Sequence, residues 1–495
     1  MPFKPEALDY EGVFPGRKHR SESDAQTEVW PRSETFDSFE NPSESKAESS
    51  TAPVMTGNWI RRRGHTLSFA SLFLFTFILY VRPYEFFPAL SSFMSMAFYV
   101  GIATLIIYTI SQLAVEGNLT ARPKEINLVL LLTVAALLSM PLAVEPPLAW
   151  KTFTDILLKA VVIFIVFVNV VRTELRLKLL LLLILAVSVY LSVNAIYDYQ
   201  RGFFQVGALE TYDARIVGRI KGLFENSNDL ALHLVTMIPI ALALGLAKAG
   251  MFRKLVYFGA AAVMVGAVIV SFSRGGFIGL VAMVLVLVRR FGRKNRVATT
   301  GALVFAAILF LALAPGAYSS RLSTIFNSAA DLTESSSQRT EVFKRSVWVA
   351  LRYPLFGVGI GNFPHKSPRN LATHNAYTQV AAEMGMAAMV VYILFQVHPL
   401  RRLRRIEEES RSHPDRRRFY YLSVGLQASL VGYMVSSFFG AVAYQWYVYY
   451  LVGYAVCLHR IFLIKHGPDN LARELWENPF AKKRQQELVP ETTAS

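Results

Sequence analysis

Residues Leu255–Val288 read LVYFGAAAVMVGAVIVSFSRGGFIGLVAMVLVLV, with Arg274 as the one charge among them. A single helix of this length would be about 51 Å long at 1.5 Å per residue, and a hydrocarbon core is about 30 Å thick. Arg253 and Lys254 precede the stretch, and Arg289 and Arg290 follow it. Basic clusters stay on the cytoplasmic side of a membrane, so both ends belong on that side. The chain must therefore cross, reverse near Arg274 and return. Gly275 and Gly276 are expected to permit the tight reversal, with the Arg274 guanidinium at or just below the outer interface.

The same reading extends to the rest of the chain. Of 495 residues, 53% are hydrophobic and only 17% charged, which disfavours a soluble enzyme and a secreted scaffold. Cys457 is the sole cysteine, so no intramolecular disulfide can form. The net charge of +16 resides largely in Lys and Arg at the ends of apolar runs, where it sets orientation, and nucleic acid is not an expected partner. Apolar runs fall at 66–81, 93–114, 126–143, 154–171, 178–197, 229–247, 255–272, 275–288, 297–314, 375–397, 419–438 and 444–464. The expectation is an all-α polytopic membrane bundle of about twelve transmembrane helices over 66–464.

Alternate loops carry the bases: Arg122 and Lys124, then Arg172, Arg176 and Lys178, then Lys248, Arg253 and Lys254, then Arg289, Arg290, Arg293, Lys294 and Arg296, and finally the run from Arg401 to Arg418. With Arg61, Arg62 and Arg63 before the first span, this pattern predicts that both termini are cytoplasmic. Residues 1–60 hold eleven acids against six bases and are rich in Ser and Pro, so they are expected to form a disordered acidic tail. Residues 465–495 form a second cytoplasmic tail. Two outward loops, at about 198–228 and 315–374, are long enough to be functional. In the second, Arg339–Arg352 places Phe343, Val347 and Leu351 on one stripe, which predicts an amphipathic helix lying on the bilayer or capping the bundle. GVGIGNF, from Gly357 to Phe363, lacks the flanking strand and helix of a dinucleotide site and reads as a turn that lets backbone pack closely.

Ionisable groups at the outward ends of spans are the candidates for chemistry, because charge in the bilayer is costly. Arg274 leads them. His374, opening THNAYTQVAAEMG beside Asn375, has the side chain best suited to proton transfer near neutral pH. As part of the tenth span it could be oriented by Tyr377 and Thr378, three and four residues on. Arg201, Arg215, Arg219 and Lys221 break the usual outward scarcity of bases, and guanidinium forks match phosphate oxygens. Asn226, Ser227 and Asn228 read as helix caps, and Glu225 and Asp229 are reserve candidates for a base. The outward loops hold no DxD motif, and neither HExxH nor a His/Cys cluster with metal spacing occurs, so no metal or cofactor is expected.

GRIKGLFENSNDLALHLVTMIPIAL, VSFSRGGFIGL, RTEVFKRSVWVALRYPLFGVGIGNF and THNAYTQVAAEMGMAAM occur in this order over roughly residues 200–400. Together they resemble the O-antigen ligase and polymerase family of bacterial membrane glycosyltransferases. The resemblance implies transfer of a glycan from an undecaprenyl pyrophosphate carrier, without nucleotide sugar or metal, to a glycan, lipid or protein acceptor at the periplasmic face of the inner membrane. It implies that His374 is catalytic and that Arg219, Arg274 and Arg339 bind pyrophosphate, supported by Arg215, Lys221 and Asn375. Where the family's histidine motif closes on a glycine, this chain has Ala388. The reading from another class is a transporter or flippase of lipid-linked glycan, although no second copy of SRGG or of the long loop is present.

Overall fold

The computed structural model describes residues 65–86, 95–116, 119–202, 224, 226–247, 250–291 and 335–466, all within the unit Val54–Ser495. The expected acidic tail, the span at 297–314, Arg215, Arg219, Lys221, Glu225 and the C-terminal tail beyond His466 lie outside them. The described residues contain no strand.

The helices are α1 (Thr66–Val81), α2 (Met96–Glu116), α3 (Lys124–Ser139), α4 (Pro146–Val170), α5 (Glu174–Gln200), α6 (Ser227–Leu246), α7 (Met251–Val270), α8 (Arg274–Phe291), α9 (Ser335–Arg352), α10 (Ala376–Met384), α11 (Met386–Ser410), α12 (Arg417–Ser436) and α13 (Trp446–His466). Eight of the described helical stretches are long and apolar enough to cross a membrane, which makes the chain an all-α polytopic membrane protein.

The helices are not equivalent. α6 and α13 are sheathed on nearly all sides, whereas α2 presents Tyr99, Ile106 and Ile110 outward. Since lipid tails are as apolar as leucine, close van der Waals fit holds such helices together, and small residues supply it. Gly432 of α12 lies against Val235 of α6, Gly425 sits against Ala243 and Pro239, and Gly279 of α8 faces Ser436 and the Gly432 carbonyl. A β-carbon at any of the three would overlap its neighbour. α6, α8 and α12 thus form a tightly packed trio, with α12 antiparallel to the other two.

The hairpin of α7 and α8 forms, but its reversal is made differently from the expectation. Ser271–Phe272–Ser273 turns the chain, with Phe272 at φ 53°. Gly275 and Gly276 lie inside the first turn of α8 and serve packing: a Cβ on Gly275 would stand 2.5 Å from that of Phe439, and one on Gly276 would overlap Ala231. The glycines are required by neighbours distant in sequence, which no local turn rule could disclose.

Two further expectations are corrected. The stretch 375–397 is not one helix: Gly385, at φ 95°, separates α10 from α11, and its close approach to Pro354 and Leu355 leaves no room for a side chain. The α9 stripe is also rotated from the one expected. Val342, Ser346, Val349 and Ala350 face the bundle, while Phe343, Trp348 and Leu351 face outward. The smaller side chains win the buried face because α9 docks closely on Ala381 and Ala382 of α10.

Candidate active site

Three helices begin at one rim of the bundle, each with a polar side chain over its first turn. The Asn226 carboxamide accepts from the Asn228 N–H at 3.0 Å at the start of α6. The Ser273 hydroxyl accepts from the Gly276 N–H at 3.1 Å at the start of α8 and donates to the Asn228 carboxamide oxygen at 2.8 Å, tying the two helix starts together. The Asn375 carboxamide accepts from the N–H groups of Tyr377 and Thr378 at 2.9 and 3.0 Å at the start of α10. The first-turn N–H groups of a helix lack intrahelical partners, and the positive end of the helix dipole lies there.

The turn between α12 and α13 joins these starts. Phe438 stacks on Tyr377 with ring centres 4.6 Å apart, the Tyr377 hydroxyl donates to the Met434 carbonyl at 2.8 Å, and Phe439 covers Gly275. Arg274 and His374 therefore flank one short turn although a hundred residues separate them. Both are half-buried.

His374 is not part of a helix, contrary to the expectation that its own helix would orient it. It precedes the N-cap of α10 and adopts φ 52°. Histidine tolerates this conformation better than most residues, yet it is sparsely populated and must be held by its surroundings. Behind it, the Thr373 hydroxyl donates to the Asn375 carbonyl at 3.1 Å. Asn375 is a helix cap, so its contribution to the site is to position its neighbour.

Arg339 lies near the start of α9, half-buried, and α9 itself packs on α10. Arg201 follows α5 and stacks on Tyr197 at 4.5 Å. Two further groups join it: Asp229, one of the reserve bases, and Arg82, which the sequence reading did not name. Arg82, at φ 48° after α1, and Asp229, in the first turn of α6, both come within electrostatic reach of the Tyr447 hydroxyl. Asp229 also lines a narrow cleft with Asn228, Ser273, Ser436 and Phe439. No spacing pattern in the sequence links Arg82 to α6 or α13.

The glycine-rich turn after α9 is docked against α10 by a buried acid. One Glu383 carboxylate oxygen accepts from the Gly361 N–H at 2.9 Å and from the Tyr444 hydroxyl at 2.7 Å, and the Phe363 N–H also bonds to the carboxylate. The Val358 N–H donates to the Ala382 carbonyl at 2.9 Å, and the Gly359 N–H to the Glu383 carbonyl at 3.0 Å. The Ile360 N–H donates to Ser139, and Asn362 accepts from the Glu145 N–H at 2.7 Å. Irregular backbone in a membrane bundle requires such internal partners. Gly357, Gly359 and Gly361 have φ values of 66, 96 and 75°, and each contacts a neighbour too closely for a side chain. Among the described residues no group of three or more His, Cys, Asp or Glu is placed to hold a metal ion.

No curated protein matches the chain. A family model described as O-antigen ligase matches residues 259–393, from α7 through the hairpin, α9 and α10 into α11. Arg274, Arg339, His374 and Asn375 all fall inside the match, while Arg82, Asp229 and the turn carrying Phe438 and Phe439 fall outside it. The chain is thus an all-α polytopic membrane protein, and its residues 259–393 are similar to the family described as O-antigen ligase.

Proposed function

We propose that this protein transfers a glycan from an undecaprenyl pyrophosphate carrier to an acceptor hydroxyl at the periplasmic face, with both termini and the basic loop clusters in the cytoplasm. The observation that carries this reading is the meeting of three capped helix starts with Arg274 and His374 at one rim. Helix starts and guanidinium groups stabilise anions, and pyrophosphate is the anion that a lipid carrier would bring there.

In this mechanism the acceptor oxygen bonds to the anomeric carbon as the bond from that carbon to the pyrophosphate breaks. His374 takes the hydroxyl proton as general base. Arg274, Arg219 and Arg339 meet the charge that develops on the departing pyrophosphate, with Arg215 and Lys221 adding positive potential. A single in-line displacement inverts the anomeric centre. The chemistry draws on no metal and no nucleotide sugar.

The test is transfer by the purified full-length protein from a lipid-linked glycan to a supplied acceptor, followed as a mass increase of the acceptor. Movement of the lipid-linked glycan across liposomes with no joining would overturn this reading in favour of a flippase. A deletion separates the two enzymatic forms: loss of long polymer marks a polymerase, and polymer accumulating on its lipid carrier marks a ligase.

A further inference from the structure

At the rim opposite His374, a groove of about 320 Å³ lies between α3 and α11. Its walls include Leu128 and Leu131 of α3 and Leu394 and Val397 of α11, and its mouth carries Lys124 and Arg401. Leu131 and Leu394 are about half exposed and lie on the outward surface of the bundle, where acyl chains would surround them.

The charges around the groove are divided in an informative way. Glu125, fully buried behind it, accepts from His398 Nδ1 at 2.8 Å and pairs with Arg402 Nε at 3.4 Å. That carboxylate is therefore compensated from within the protein. Lys124 and Arg401 have no carboxylate within ion-pairing distance among the described residues. Two cations above an apolar slot that opens sideways to lipid match an amphiphile with an anionic head and a hydrocarbon tail. Basic pockets between transmembrane helices recognise lipid phosphates by this chemistry.

We propose that this groove binds an anionic phospholipid, with the phosphate between Lys124 and Arg401 and an acyl chain against Leu128, Leu131, Leu394 and Val397. The site is separate from the rim that holds His374. Its occupant is a lipid rather than free phosphate because the apolar walls form most of the groove, and a free anion would leave them unused.

Native mass spectrometry of the full chain in detergent, with phosphatidylglycerol or phosphatidylcholine of identical acyl chains, tests the proposal. The wild type should retain phosphatidylglycerol about tenfold better, as two cations near a lipid phosphate allow. Lys124→Gln combined with Arg401→Gln should reduce retention to the phosphatidylcholine level. Leu131→Trp, which fills the slot and leaves every cation in place, should also reduce it, and inorganic phosphate should not displace the lipid. Equal retention of both lipids by the wild type, undiminished phosphatidylglycerol on the double variant, no effect of Leu131→Trp, or displacement by inorganic phosphate would each overturn the proposal.

Discussion

At the basic rim, acids hold basic side chains. Glu407 pairs with Arg290 at 3.1 Å and accepts from Gln427 at 3.0 Å, Glu125 holds His398 and Arg402, and Glu174 holds Arg418 and Lys465. Toward the opposite rim, Asn226, Ser273 and Asn375 hold the first turns of three helices, and Glu383 holds N–H groups and a tyrosine hydroxyl. One rim spends its acids on neutralising arginines where the chain leaves the apolar phase. The other uses polar side chains to fix backbone, which aims helix starts and keeps an irregular turn intact. The physical lesson is that an ion pair relieves a charge already present, whereas a cap organises dipoles toward a charge that has yet to arrive.

The comparison breaks most visibly at His374. His374→Ala should lower turnover by about 10² to 10⁴ while donor binding persists, because proton transfer is felt only in the transition state. Transfer kinetics alongside donor binding, on equally folded protein, would check this. A near-wild-type rate would remove the histidine from the mechanism, leaving Asp229 in the cleft as the next base to examine.

Glu383→Ala tests whether that acid is an organiser. It strips the acceptor from two backbone N–H groups and Tyr444 in a buried place, and should cost about 3 kcal/mol, seen as a lower unfolding temperature in detergent. Glu383→Gln keeps an acceptor oxygen and should recover part of the loss. At the basic rim, Glu407→Ala leaves Arg290 facing a buried gap and should cost about 2 kcal/mol, discounted because Arg290 is partly exposed. Turnover per folded molecule should remain unchanged. If it falls as much as in the His374 variant, the two rims do not divide labour as argued.

The smallest expected effect is at Ser273. Ser273→Ala removes the α8 cap and the bond to Asn228, for about 1 kcal/mol of stability. Because Arg274 is the next residue, the loosened helix start should also weaken donor binding. Circular dichroism melting and donor titration would measure the two effects separately.

Much of the bundle is legible in the chain itself. Apolar length, basic clusters and the hairpin over Leu255–Val288 are local properties, and burying apolar runs in lipid does not depend on which neighbour they meet. The cap at Asn226 is local too, since it bonds only two positions onward, whereas Asn375, expected inside a span, caps α10. The GVGIGNF turn was readable as a place of close backbone approach, although not which backbone approaches it.

The site was legible in part. Arg274 and His374 are nameable from their motifs and Asp229 as a reserve base, but Arg82 joins the same rim only because α1 and α13 pack together there. The face that α9 presents, the break at Gly385 and the reason for Gly275 and Gly276 were equally hidden. Each depends on a contact between segments far apart in sequence, and a close-packed interior accepts or rejects a side chain by the shape of what lies opposite. The sequence by itself determined that this chain crosses a membrane repeatedly, that it reverses within Leu255–Val288 and that Asn226 caps a helix, because hydrophobic length, charge and short-range hydrogen bonding act within a few residues. Only the tertiary structure decided which helix starts meet, which glycines are obligatory and where the buried acid is spent, because those follow from steric fit and hydrogen-bond satisfaction between distant parts of the chain.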